Sequence, residues 1–202
     1  NIWKASFAGS LWKQKTGEGF SVNYVKNDEA ILRLANIISD GDVIAISLMS
    51  VQRNIAKKLC IEVKKNNPNV KIIIGGYHPT LFPDDAISFS DVICQGEGEN
   101  TFAEFLKRVE NKETFYGLKN TWIRDNEEII KNPRGSLMTP EEMETMPFME
   151  YSLEEQYLFS YAHGILKPME EKDVMHHVGT TYNTIWSVGC PFRCSFCSQP
   201  KF

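Results

Sequence analysis

The sequence predicts an α/β protein built on an open, doubly wound parallel sheet. Four short runs rich in β-branched and apolar residues, at positions 20–25, 42–47, 70–76 and 91–96, have the length and composition of strands. The segments that follow them carry apolar residues at helical spacing. The two middle runs are apolar at nearly every position, which is typical of strands whose two faces are both covered by helices. This alternation of strands and helices favours a mainly parallel sheet.

Each predicted helix has one apolar stripe at i, i+3, i+4 and i+7 or a close variant. The stripes are Ile31, Leu34, Ala35 and Ile38; Val51, Ile55, Leu59 and Val63; and Phe102, Phe105, Leu106 and Val109. A stripe of this kind buries one face of a helix and leaves the other in water. We expect an opening strand of the sheet to lie upstream of residue 1.

The pattern changes after residue 112. Residues 117–135 have apolar and aromatic runs on both sides of the polar turn 125–128, which predicts a β-hairpin. Residues 138–157 predict a connector with one or two short helices, and a new strand begins at residue 180. We therefore divide the chain into residues 1–112 (α/β domain), 113–179 (hairpin and connector) and 180–202 (the start of another domain). Since the chain begins without Met and ends abruptly, we expect a piece of a longer protein.

Composition limits the possible partners of the chain. Of its 202 residues, 42% are hydrophobic and 24% are charged, and the formal net charge is −4, so nothing indicates binding to nucleic acid or to an anionic membrane. The longest apolar run, 43–51, is far too short to span a membrane, and we see no secretion signal. Five cysteines, three of them close together, suit a metal or redox site in a reducing compartment. We expect a cytoplasmic protein.

Three predicted strands end in segments suited to ligand binding: 47-SLMS-50, 75-GGYHPT-80 and 96-GEGEN-100. Open α/β sheets bind ligands beyond the carboxyl ends of their strands, and glycines there let a ligand approach the backbone. The alternative is that the glycines only form tight turns. A dinucleotide site is rejected, because the G-x-G of the last segment lacks a third glycine and follows the last strand. A flavin mononucleotide site is a poor match to residues 1–13.

Cys190, Cys194 and Cys197 form a C-x-x-x-C-x-x-C motif directly after the predicted strand at 180–189. Structural zinc would need a fourth ligand such as His176 or His177, and the usual second ligand pair is absent. A dithiol redox pair or a disulfide would leave one thiol unexplained. An iron–sulfur cluster takes thiolate ligands at such short spacings. With three protein ligands, a [4Fe–4S] cluster would leave one iron open for a substrate.

The segment 190-CPFRCSFC-197 resembles the C-x-x-x-C-x-aromatic-C motif of the radical S-adenosylmethionine superfamily. The resemblance implies that Cys190, Cys194 and Cys197 ligate a [4Fe–4S] cluster. It also implies that Phe196 lies against the adenine of S-adenosylmethionine. The preceding strand would then be the first strand of a partial (β/α) barrel.

Residues 20–110 resemble the Rossmann-like cobalamin-binding domain that precedes this barrel in one branch of the superfamily. The resemblance implies that cobalamin binds at the sheet edge, with the residues Ser47, Met49, Gly75, Gly76, His78, Gly96, Glu97 and Gly98 at its site. Met49 stands where Leu is usual. The D-x-H-x-x-G motif that supplies an axial histidine is absent, and His78 follows the third strand, so we do not assign it as an axial ligand. Cys60 and Cys94 are interpreted as small buried apolar residues.

The resemblance implies a cobalamin-dependent enzyme that cleaves S-adenosylmethionine reductively to a 5′-deoxyadenosyl radical and transfers a methyl group to an unactivated carbon. An external one-electron reductant, flavodoxin or ferredoxin, would supply the electron. One alternative is an anaerobic oxidative cyclase of the magnesium-protoporphyrin monomethyl ester type. Two non-enzyme alternatives are a corrinoid-binding or sensing module with vestigial cysteines, and a regulatory domain with a zinc clip. We expect this chain alone to be inactive, because it lacks the remaining barrel strands.

Overall fold

The computed structural model describes residues 2–6, 27–147, 153, 156–160, 165–178, 190, 192, 194, 195 and 197. Its central sheet has six strands arranged in sequence order, β1 to β6. They are Ile2–Ser6, Val43–Ser47, Lys71–Gly75, Val92–Cys94, Thr121–Asp125 and Glu128–Lys131. The first four run parallel, and β5 and β6 are antiparallel to their neighbours. The predicted α/β class with a mainly parallel sheet is confirmed.

Five helices follow or connect the parallel strands: α1 Asn27–Ile38, α2 Arg53–Asn66, α3 Tyr77–Leu81, α4 Pro83–Ile87 and α5 Glu99–Glu110. Successive strand residues point to opposite faces of a sheet. Ile44 and Ile74 accordingly face one core with the buried residues of α1, α2 and α4. Val43 and Ile73 face a second core with Phe105 of α5. The strands are apolar on both sides because helices cover both faces of the sheet.

The structure contains a strand that was not predicted. β1, at Ile2–Ser6, pairs in parallel with β2, and the strand expected upstream of residue 1 stays a prediction. The sequence of β1, IWKAS, carries a lysine and only one β-branched residue, so its composition gave little strand signal. The strand predicted at 20–25 lies outside the described residues.

The second helix also begins later than predicted. Val51 lies in a 3-10 turn at Ser50–Gln52 and is 91% exposed. The prediction that Val51 belongs to the buried stripe of this helix is therefore wrong. The buried residues of α2 are Ala56, Leu59, Cys60 and Val63. Because the helix starts at Arg53, its phase is set by residues that follow the turn, and Val51 stays in solvent.

The predicted hairpin is present and extends the central sheet. β5 and β6 are joined through Asn126 and Glu127, and Asn126 has a left-handed φ of 56°. β5 pairs antiparallel with β4, so the sheet continues beyond residue 112. The connector contains one of the predicted short helices, α6 Pro140–Glu144, whose N-terminus is capped by the Thr139 side chain. The proposed domain boundaries remain predictions.

A two-stranded sheet and a helix follow, neither of which was predicted. β7 Tyr157–Ser160 pairs antiparallel with β8 Ile165–Pro168, and α7 spans Glu171–Val178. The strand predicted from residue 180 lies outside the described residues. Within the described part of the chain, every helix falls short of the length and apolar character needed to cross a membrane.

Candidate functional site

The candidate site is the edge of the sheet where the parallel strands end. Ser6, Ser47 and Gly75 are register partners at the ends of β1, β2 and β3. Cys94 ends β4 beside them, since a Cβ added to Gly75 would lie 3.9 Å from the Cys94 Cβ. The last residues of four strands therefore form a row with small side chains or none. Two of the segments predicted from the sequence begin in this row, at Ser47 and Gly75, and the third begins at Gly96, two residues after Cys94.

The loops after β2 and β3 are bonded to each other through their backbones. The Leu48 N–H donates to the Gly75 carbonyl at 2.8 Å, and the His78 N–H donates to the Leu48 carbonyl at 2.9 Å. Gly76 lies between these bonds with φ +96°, and a Cβ there would lie 3.0 Å from the Leu48 nitrogen. Only glycine fits this position without strain. Ser47, next to it, is exposed.

The loop after β4 is joined to the same structure by Thr80. The Thr80 hydroxyl donates to the Gly76 carbonyl at 2.9 Å and accepts from the Gly96 N–H at 3.0 Å. Gly96 has φ +74°, and a Cβ there would have no atom within 4 Å, so its backbone faces open space. Thr80 is buried, and the sequence reasoning did not assign it. The only feature of the sequence that could have indicated a role for Thr80 is its position at the end of the GGYHPT segment.

Glu97 and Gly98 continue this loop into α5. The Glu97 Oε2 accepts from the Met138 backbone N–H at 2.7 Å, so the carboxylate ties the loop to the connector. Gly98 precedes the first residue of α5, and a Cβ there would lie 3.8 Å from the Cys94 Sγ. Both residues are half-buried. The structure thus places them at the edge of the sheet, next to Gly96.

His78 is buried next to the loops of the candidate site. The residue is only 5% exposed, and both of its ring nitrogens lie close to protein groups. Nδ1 is 3.1 Å from the Ser50 Oγ, and Nε2 is 2.9 Å from the Asp85 Oδ2. The Arg53 guanidinium donates to both Asp85 oxygens and lowers the pKa of that carboxyl to about 2. The sequence reasoning found His78 but missed Ser50, Arg53 and Asp85.

Three exposed apolar side chains lie on the segments that follow β2 and β3. Met49 is 49% exposed, Tyr77 is 39% exposed and Phe82 is 53% exposed. All three belong to the loops or short helices that follow β2 and β3. These segments therefore carry exposed apolar side chains that a partly apolar ligand could cover.

The three cysteines of the C-terminal motif are described only in part. Cys190, Cys194 and Cys197 are exposed free thiols, and the Cys197 N–H donates to the Cys194 carbonyl at 3.0 Å. Among the residues that the structure describes, no three His, Cys, Asp or Glu side chains are grouped to hold a metal ion. The thiols have the donor chemistry of an iron–sulfur ligand set, although they are not gathered into one. Phe196 lies outside the described residues.

The other two cysteines are buried. Cys60 is 1% exposed on α2, and Cys94 is 4% exposed at the end of β4, which agrees with the interpretation of both as small apolar residues. Burial raises the pKa of the Cys60 thiol to about 12 and that of the Cys94 thiol to about 11. Burial thus disfavours the thiolate, the reactive form, at both cysteines.

Comparison with known families identifies the α/β domain. The family model described as "B12 binding domain" matches residues 2–106, which is more than half of the chain. The matched residues contain the row of strand ends and all three loops, and they end before the cysteine motif. The chain belongs to the B12-binding domain family.

Curated relatives confirm the resemblance to cobalamin-dependent radical S-adenosylmethionine proteins. The 2-(S-pantetheinyl)-carbapenam-3-carboxylate methyltransferase of Streptantibioticus cattleyicolor is 25% identical over 84% of this chain and 24% of its own length. The cobalamin-dependent radical SAM methyltransferase TokK of Streptomyces tokunonensis is 25% identical over 83% and 23%. The anaerobic magnesium-protoporphyrin IX monomethyl ester cyclase of Cereibacter sphaeroides is 22% identical over 99% and 31%. The chain thus spans between about a quarter and a third of these relatives.

Proposed function

We propose that this chain binds cobalamin at the carboxyl edge of its sheet, and that the whole protein is a radical S-adenosylmethionine methyltransferase acting on an unactivated carbon of a small molecule. The match of residues 2–106 to the B12-binding domain family carries the proposal. The relatives named as methyltransferases support the reaction type. They are about 25% identical to this chain, so the substrate is left open.

The residues at the edge would each contribute in a different way. The exposed Ser47 hydroxyl can donate a hydrogen bond to a polar group of the ligand. The open backbone at Gly96 lets a ligand approach the loop after β4 without meeting a side chain. Met49 can cover an apolar part of the ligand, since half of it is exposed. Gly75, Gly76 and Gly98 keep the adjoining backbone free of side chains.

Cys190, Cys194 and Cys197 would hold a [4Fe–4S] cluster, with Phe196 against the adenine of S-adenosylmethionine. When bound, the cluster supplies the electron that cleaves S-adenosylmethionine, and cobalamin supplies a cobalt centre that can carry a methyl group. Three exposed thiols at short spacing suit this role. The cluster would take its electron from an external reductant such as flavodoxin or ferredoxin.

Oxidative cyclisation is the second candidate reaction. The cyclase of Cereibacter sphaeroides aligns with 99% of this chain, so its similarity extends over the cysteine motif. A corrinoid-binding module without redox chemistry would use the same sheet edge but no cluster. These alternatives differ in whether the cysteine motif holds a cluster. Corrinoid binding and cluster binding therefore need separate experiments.

Cobalamin binding can be tested with a matched pair of serine substitutions. The chain is mixed with hydroxocobalamin in the dark and desalted, and its visible spectrum is recorded. Ser47→Leu places a large side chain in the proposed site, whereas Ser88→Leu makes the same change at an exposed serine that directly follows α4 and precedes β4. We expect the wild type and Ser88→Leu to retain the corrinoid and Ser47→Leu to bind it at least tenfold more weakly. A wild-type chain that retains no corrinoid would refute the proposal.

Anaerobic reconstitution with iron and sulfide tests the cluster. We expect a brown protein whose iron is lost when Cys194 is replaced by alanine, while Cys60→Ala leaves the iron content unchanged. One equivalent of zinc without corrinoid would instead support the zinc clip, and corrinoid without iron would support a sensing module. We also expect no release of methionine from S-adenosylmethionine by this chain alone, because it spans only about a quarter to a third of the relatives named above. Measurable release would contradict this expectation.

A further inference from the structure

We infer that His78 is a positioning residue rather than a ligand contact. It forms a clamp with Ser50, Asp85 and Arg53 that holds two loops of the candidate site in place; we call these four residues the His78 clamp. The effect on ligand affinity rests on the proposed cobalamin function. The effect on the loops does not.

The His78 clamp connects three separate parts of the chain. Ser50 belongs to the turn after β2, His78 to α3, and Asp85 to α4. The imidazole lies between the other two, with Nδ1 3.1 Å from the Ser50 Oγ and Nε2 2.9 Å from the Asp85 Oδ2. Arg53, the first residue of α2, holds Asp85 through both carboxylate oxygens, with Nε at 2.7 Å from Oδ2. The first turn of α2 is therefore tied to α4 as well.

The surroundings of the imidazole explain why it stays in this position. His78 is buried, and its ring packs against the Phe82 ring at 5.5 Å between centroids. Its backbone N–H is held by the Leu48 carbonyl. A buried imidazole without hydrogen bonds would be costly, so the ring cannot leave its two partners without a loss of stability. The ring thereby fixes the distance between the loop after β2 and the loop after β3.

The roles of the two ring nitrogens follow from their partners. Arg53 keeps Asp85 ionised, so the carboxylate accepts a hydrogen bond from Nε2–H of His78. The Ser50 hydroxyl can then donate to the other ring nitrogen, Nδ1. The imidazole thus joins the turn after β2 to α4 through one hydrogen bond at each nitrogen.

A fixed pair of loops would favour ligand binding because the ligand need not order them. Ser47 and Met49 lie within three residues of Ser50, and Gly76 lies two residues before His78. If the clamp is broken, the loops must be ordered at the moment of binding, and that cost is taken from the affinity. We expect an increase in the Kd for hydroxocobalamin of about tenfold, which corresponds to about 1.4 kcal/mol.

The test compares three changes at the clamp with one at the opposite edge. Ser50→Ala removes one hydrogen bond at an exposed residue, Ser50→Thr keeps the hydroxyl, and His78→Phe removes both ring bonds. Lys64→Met breaks a comparable tie, in which the Lys64 ammonium bonds the Val70 carbonyl and Asp91. Each variant is measured by amide hydrogen exchange without ligand and by spectral titration with hydroxocobalamin.

We expect Ser50→Ala and His78→Phe to speed exchange of the Leu48 and His78 amides at least tenfold and to raise the Kd about tenfold. Ser50→Thr should restore both values, and Lys64→Met should leave both unchanged. Wild-type exchange at these amides in folded Ser50→Ala would overturn the clamp, and faster exchange without a change in Kd would overturn its role in binding. If the wild type binds no corrinoid, the proposed function fails, together with the effect on affinity. Hydrogen exchange still decides whether the loops are clamped.

Discussion

Replacing Gly76 with alanine tests the geometry of the candidate site most directly. Gly76 has φ +96° and ψ −161°, a region that side chains other than glycine avoid, at a cost of about 1–3 kcal/mol. The new Cβ would also lie 3.0 Å from the Leu48 nitrogen and 3.2 Å from the Ser47 Oγ. Forcing a methyl group into packed surroundings costs about 1–3 kcal/mol more. We expect Gly76→Ala to lower the free energy of unfolding by about 2–6 kcal/mol.

Gly96→Ala is the matched control. Gly96 also has a left-handed φ, of +74°, but a Cβ there would have no atom within 4 Å. Gly96→Ala should lower the free energy of unfolding only by the cost of the left-handed backbone, about 1–2 kcal/mol. Urea unfolding followed by circular dichroism gives both losses from the shift of the midpoint. If the two variants lose equal stability, the contact with Leu48 and Ser47 does not constrain Gly76, and our account of the paired loops is wrong.

Three further predictions concern charge, thiol reactivity and packing. Arg53 lowers the pKa of Asp85 from 3.8 to about 2, so ionised Asp85 stabilises the fold above pH 4 and this stabilisation is lost as the pH falls towards 2. With partial solvent screening, the stabilisation is about 1–2 kcal/mol. Acid unfolding of Asp85→Asn should show that this stabilisation is missing. A thiol reagent at pH 7.5 should rapidly modify the three exposed cysteines of the C-terminal motif, and should modify Cys60 and Cys94 only when the protein unfolds. Peptide mapping identifies the labelled residues, and fast labelling of Cys60 would contradict its burial. Phe105→Ala should cost about 3–5 kcal/mol, because Phe105 is fully buried between α5 and the sheet; a much smaller loss in urea unfolding would mean that this core is poorly packed.

The sequence predicted the parts of the fold that have a strong local pattern. The runs at 42–47, 70–76 and 91–96 contain β2, β3 and β4, and the stripe from Ile31 to Ile38 lies on α1. These elements are buried on fixed faces, so their apolar residues recur with the period of the element. β1 was missed because its mixed composition has no such pattern. Val51 was misplaced because a 3-10 turn delays the start of α2.

The candidate site was predicted where it depends on strand ends and missed where it depends on distant pairs. Ser47, Gly75 and Gly96 follow from the rule that parallel strands end at one edge. The partners of His78 do not, because Ser50 precedes it by 28 residues and the contact forms only when β2 and β3 pair. Asp85 is 32 residues from Arg53 for the same reason. No local periodicity indicates such contacts. The sequence therefore placed His78 near the candidate site, but it did not predict that His78 is buried or which residues it bonds.

The arrangement separates residues that shape the edge from residues that are free to contact a ligand. Gly76, His78 and Thr80 point into the protein or have no side chain, and their bonds hold the loops to one another. Ser47 and Met49 are exposed on the same loops. Changes in the first group should therefore alter stability and ligand affinity together, whereas changes in the second should alter affinity alone. Because ligand preference depends on differences in affinity, it can change through the exposed residues without disturbing the fold.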